Sequence, residues 1–195
     1  MPSPLAHTAA GYAIAKVLLH RYQKKEDNAL KKNYQFIIAA IILSLLPDLD
    51  AGVGFLLGDF GRYHNNISHS LVFALGASFL IGIFMNAVLK GRFWLGFITT
   101  LSCYSLHIAM DFVTYGRGVM VFWPFTSQRF QSDMLLFYGL HWSDGFFSVN
   151  HLITLANEIL FITILIWVLN WTINRKSQPN ELIEQASKPE KDGGA

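Results

Sequence analysis

The sequence predicts an all-α, polytopic membrane bundle of about five helices. Three observations carry that prediction. Hydrophobic residues form 52% of the 195 residues and charged residues only 14%, where an ordinary soluble domain carries roughly a quarter charged. Segments 70–89, 93–113 and 152–173 are each apolar over the roughly 20 residues a helix needs to cross a bilayer core. On a model built from them, nearly all histidines and the best-placed aspartates fall at one end of the helices.

Two further segments complete the set. Residues 5–19 read as an Ala-rich helix whose small side chains permit close packing, and 36–46 is an apolar run ended by Pro47. At 1.5 Å per residue these reach only part of the way across, so each leans on protein or stops below the surface. The chain divides into a membrane-embedded domain over 1–174 and a disordered cytoplasmic tail over 175–195, rich in Lys, Glu, Ser, Pro and Gly.

The same composition excludes other classes. With 16 Phe and 5 Trp the chain is not disordered, and with one cysteine it is not a disulfide scaffold. Cys103 lies in an apolar run and reads as a small buried hydrophobe. Net charge is +2 with no dense basic block, so no nucleic-acid partner is expected. No Lys or Arg precedes the first apolar run, so it does not read as a cleaved signal peptide. Of the 15 Lys and Arg, all but Arg62, Arg117 and Arg129 fall on one side of a five-helix model with the N-terminus outside. Basic residues favour the cytoplasmic side. The expected topology is therefore multi-pass, with the N-terminus outside, the C-terminus cytoplasmic and the polar cluster on the outer face.

The residues able to do chemistry sit on that outer side. His107 and Asp111 are spaced i, i+4, which puts an imidazole and a carboxylate on one helical face, where they can hold a divalent ion or simply bond to each other. Ionisable groups near a membrane are costly enough to favour a functional reason. Asp48 and Asp50 flank Leu49 after Pro47, at the unfavourable end of a helix dipole unless a cation compensates. His64 and His69 supply two imidazoles, with Ser68 available to cap the next helix. Two imidazoles facing two carboxylates and a His/Asp pair point to a metal site. His151 and Glu158 lie two turns apart on a further helix. Glu158 could orient a ligand, bind a second ion or act as general acid/base. His141, Trp142, Ser143, Asp144 and Arg129 are either substrate contacts or interfacial residues. No Gly-x-Ser-x-Gly, P-loop, Gly-x-Gly-x-x-Gly or His-Glu-x-x-His is present.

His7, the run 46–50 (Leu-Pro-Asp-Leu-Asp), the run 64–70, the run 105–116 and Trp123-Pro124-Phe125 together resemble the bacterial membrane-bound metal-dependent hydrolases, the YdjM-like family. The resemblance covers residues 7–129. It implies a helical inner-membrane protein with hydrolase activity. The ligand pattern is also similar, distantly, to zinc-dependent phospholipase C and the fungal single-strand nucleases, implying a phospholipase C-like helical core. By that similarity His7, Asp48, His69, His107 and Asp111 are metal ligands for one or two zinc ions. Asp50 is then a base or the orienter of an imidazole, and Glu158 a further catalytic group. Where the family has His-Arg-Gly this chain has His64-Asn65-Asn66, and Arg62 is placed to replace the missing arginine. His64, His141, His151 and Arg62 remain additional candidates for ligand or substrate contact. The resulting expectation is hydrolysis of an ester or phosphoester of a membrane lipid or lipid-linked substrate by metal-activated water. The rival classes are a metal or proton transporter and a non-catalytic protein with a structural metal.

Overall fold

The computed structural model describes residues 1–22, 29–58, 63–90, 92–140 and 148–186. It contains six α-helices, with no strand among the described residues: α1 (Pro4–Tyr22), α2 (Ala29–Ser44), α3 (Leu49–Leu56), α4 (Leu71–Leu89), α5 (Phe93–Phe112) and α6 (Asn150–Ala186). Single 3₁₀ turns occupy Leu46–Asp48 and Ile67–His69. Helices α4, α5 and α6 are long and apolar enough to cross a membrane, and α2 with α3, bent by 46°, forms a fourth candidate.

The count differs from the expected five because Pro47 ends one helix without ending helical structure. Proline lacks the N–H a helix interior needs but fits a first turn. Here it opens the 3₁₀ turn, and α3 follows with Asp48 at its N-cap and Asp50 in its first turn. The two carboxylates expected at the negative end of one helix dipole therefore stand at the positive end of the next. At the other terminus, α6 continues to Ala186, into the segment read as tail, and 187–195 lie outside the described residues.

Helix α5 is the centre of the bundle. It packs against α4 on one side and α1 and α2 on the other, while α1 also meets α6. Small residues let the helices approach. A Cβ on Gly11 would lie 2.6 Å from Ser44 Oγ and 2.9 Å from the Ala40 carbonyl. Cys103 is buried with Ala15 and Ala40, the packing role expected for it. The segment after α5 folds over the end of the bundle. Val119 is buried against Ala74, Tyr104 and Ile108, Val119 and Phe130 exchange N–H···O bonds of 2.9 Å, and the Leu71 N–H donates to the Val121 carbonyl at 3.0 Å. Gly139 has φ +77°, and a Cβ there would meet Thr114 Cγ2 at 2.6 Å. Only glycine fits that crossing.

Candidate metal centre

Four structural elements deliver side chains to one place. His7 comes from the start of α1, Asp48 and Asp50 from the α2–α3 junction, His64 and His69 from the turn before α4, and His107 and Asp111 from the end of α5. Sequence order scatters these residues across more than half the chain, and the packing of α1, α2 and α4 around α5 reunites them.

Three of the four imidazoles are oriented through one nitrogen. His107 Nδ1–H donates to the Ser44 carbonyl at 2.7 Å. That carbonyl lies in the last turn of α2, where backbone acceptors have no helical partner. Asp50 does the same for two rings: its Oδ1 accepts from His64 Nδ1 at 2.7 Å and its Oδ2 lies 3.1 Å from His69 Nδ1. Ser68 also donates to Asp50 Oδ2. Ser68 is thus not the helix cap; Ser70 is, accepting from the Phe73 N–H at 3.2 Å. With their Nδ1 atoms engaged, the three rings turn Nε2 toward the carboxylates of Asp48 and Asp111. A carboxylate or carbonyl behind a histidine is how proteins fix the tautomer of a metal ligand.

The facing atoms are close. His69 Nε2 lies 3.2 Å from His107 Nε2 and 3.2 Å from Asp111 Oδ2. His107 Nε2 lies 3.4 Å from Asp48 Oδ1 and 3.7 Å from Asp111 Oδ2. His7 Nε2 is 3.5 Å from Asp111 Oδ1, and its ring stacks on that of His107 with centroids 3.7 Å apart. His64 Nε2 and His69 Nε2 are each 3.8 Å from Asp48 Oδ1. Met1 Sδ also touches His64 Nε2. Ligands bonded tetrahedrally at 2.0 to 2.2 Å sit about 3.3 to 3.6 Å from one another, and these separations bracket that range, from 3.2 Å to 3.8 Å. Three overlapping groups each bring one possible ligand atom per residue within 4.8 Å of one another: His7 with Asp48 and His107, Asp48 with His64 and His69, and His69 with His107 and Asp111.

Partner accounting makes the same case. Both nitrogens of His7 and all four carboxylate oxygens of Asp48 and Asp111 are buried without a hydrogen-bond partner. Buried polar groups left so are costly, and buried carboxylates more so. Burial works against a charge on His69, but Asp111, Asp48 and Asp50 around it outweigh this and raise its pKa well above the usual histidine value. The neighbourhood is thus strongly attractive to positive charge. The residues fit a divalent cation bound by nitrogen and oxygen.

Other candidates stand elsewhere. Glu158 is fully buried, and its carboxylate accepts from the Ser3 N–H at 2.5 Å and from the Ser3 hydroxyl. It joins α6 to the start of α1 and is not in any of the three groups. His151 opens α6, also outside them. Arg129 donates to the carbonyls of Asn65 (2.8 Å) and Gly118 (3.1 Å) and to Asn66 Oδ1. Arg117 donates to the His64 carbonyl. These two arginines hold the 64–66 turn, in which Asn65 adopts φ 59°, a left-handed conformation asparagine tolerates. Arg62, His141, Trp142, Ser143 and Asp144 lie outside the described residues. Sequence reasoning missed Ser3, Ser44, Arg117 and the role of Ser68. Ser44 acts through its carbonyl, which no side-chain motif reports.

Fold and site together define a helical membrane protein carrying a buried histidine–aspartate centre at one end of its bundle. The chain belongs to the YdjM inner membrane protein family, whose model matches residues 1–178. It has no significant match among curated proteins or among solved structures.

Proposed function

We propose that this protein is a membrane-bound metal-dependent hydrolase acting on an ester or phosphoester of a lipid or lipid-linked substrate, with zinc as its metal. The observation that carries the reading is the convergence of partnerless, buried His7, Asp48 and Asp111 atoms on the Nε2 atoms of His69 and His107. These five residues, with His64 at the edge, would hold one ion or two adjacent ions. The chemistry such an ion would supply is a bound water with its pKa lowered to about 7 and neutralisation of charge developing on the substrate oxygens. Asp50 has both oxygens engaged by His64, His69 and Ser68, which favours its role as orienter of the imidazoles over that of base. Asp48 keeps both of its buried oxygens free of hydrogen bonds, which suits it to the ion. Glu158 supports the site indirectly by fixing the start of α1, the helix that carries His7.

The distribution of Lys and Arg supports an outer-face site with the C-terminus in the cytoplasm. A likeness to phospholipase C would extend to the kind of bond cleaved and to the clustered ions. The test is metal analysis of the purified chain together with hydrolysis of bis(p-nitrophenyl) phosphate. Stoichiometric zinc and zinc-dependent turnover are expected, both lost in the His107→Ala/Asp111→Ala variant. Full zinc content in that variant overturns the assignment.

A further inference from the structure

The centre is sealed on most sides. The side chains of His7, His69, His107 and Asp111 have no accessible surface, whereas those of Asp48, Asp50 and His64 remain 14%, 13% and 7% exposed. Among the described residues the cluster therefore opens at the α2–α3 junction and the start of α3.

What borders the opening is apolar. Leu49, between the two aspartates, is 64% exposed, and Val53 and Leu56 continue outward from it. Leu49, Gly52, Val53 and Leu56 recur at i, i+3, i+4 and i+7, one face of a helix. The inward side of α3 is made of the buried small residues Ala51 and Gly54. A water-facing surface helix is built the other way round, apolar inward and polar outward. Ile38 and Ile42 on α2 are exposed as well, and the two bent helices together are long and apolar enough to form one membrane segment. Arg117 and Arg129 place positive charge on the backbone of His64, whose side chain borders the opening, and of Asn65, which suits an anionic head.

We propose that the outward face of α3 is a track for the acyl chain of a membrane lipid, bringing its phosphoester head laterally from the bilayer to Asp48 and Asp50. This deepens the hydrolase reading and rests on it for the reaction, but not for the lipid contact. Area buried along an apolar stripe drives such docking, and the aspartate-lined opening provides the polar end.

Two measurements on the full zinc-loaded chain test it. The first uses a single nitroxide per chain, on Val53→Cys in one variant and on Leu56→Cys in another, each with Cys103→Ser, in vesicles of phosphatidylethanolamine and phosphatidylglycerol. Power saturation is expected to show oxygen reaching both labels far more than a water-soluble nickel chelate. Nickel-accessible labels overturn the track, and so does label–label broadening, which would mean a second copy of the chain covers α3. The second compares kcat/KM for long-chain phosphatidylglycerol in mixed micelles with that for bis(p-nitrophenyl) phosphate. Val53→Asn/Leu56→Asn is expected to lower the ratio of the two by about tenfold, the scale of a lost apolar contact in a specificity pocket. An unchanged ratio overturns the track. If neither substrate is cleaved while the labels report lipid, the hydrolase reading fails and the lipid contact stands.

Discussion

Helices α4 and α5 are neighbours of almost equal length, 19 and 20 residues, both apolar enough to span a membrane, yet they do opposite work. Inside the protein α4 buries 17% of its apolar window and α5 44%. What α4 buries is a strip of small residues, Ala74, Ser78 and Gly82, which lets α5 come close; Phe79, Leu80 and Phe84 face outward. On α5 the buried face carries Thr99, Thr100, Tyr104, His107 and Asp111. Hydrophobicity in this chain therefore marks the faces turned away from the protein, and the less apolar of the two helices is the one at the centre.

That contrast can be broken by substitution. The largest effect is expected for Asp111→Ala, which should weaken zinc binding by more than about 100-fold, beyond the usual cost of losing an outer partner; competition with a chelator measures it. Asp50→Asn should come next. It keeps the ligands but loses the group orienting His64 and His69, so affinity should fall by about 10- to 100-fold while excess zinc still saturates the site. Glu158→Ala removes the acceptor of the half-buried Ser3 groups and should cost about 1–3 kcal/mol in denaturation experiments in detergent, with zinc content retained. Gly11→Ala crowds the Ala40 carbonyl and Ser44 and should cost a similar amount, about 1–3 kcal/mol, through overpacking. The smallest effect belongs to the lipid face of α4. Leu80→Ala should stay within about 0.5 kcal/mol and leave zinc binding untouched.

Much of this was legible in the sequence because helical spacing is a reliable guide to faces. His107 and Asp111 at i, i+4 do share one face, and the run 64–70 does deliver two imidazoles. The hydropathy of 70–89, 93–113 and 152–173 anticipates α4, α5 and the membrane part of α6. Less legible was the stretch after Pro47. A proline that stops α2 and starts the next turn looks the same in sequence as one that stops a helix for good, so α3 and the favourable setting of Asp48 and Asp50 were missed. Glu158 illustrates a different limit. Its depth in an apolar helix announces a partner but cannot say which, and the partner is Ser3, 155 positions away. Ser44, Arg117 and Arg129 work on or through backbone carbonyls, and such contacts leave no signature in residue type.

Zinc K-edge X-ray absorption on the purified chain addresses the centre itself. Nitrogen and oxygen ligands at about 2.0 to 2.2 Å, with imidazole outer-shell scattering that diminishes in His107→Ala, are the expected spectrum. A sulfur shell at about 2.3 Å, or a spectrum that His107→Ala leaves unaltered, would mean the ion resides somewhere other than among these histidines and aspartates.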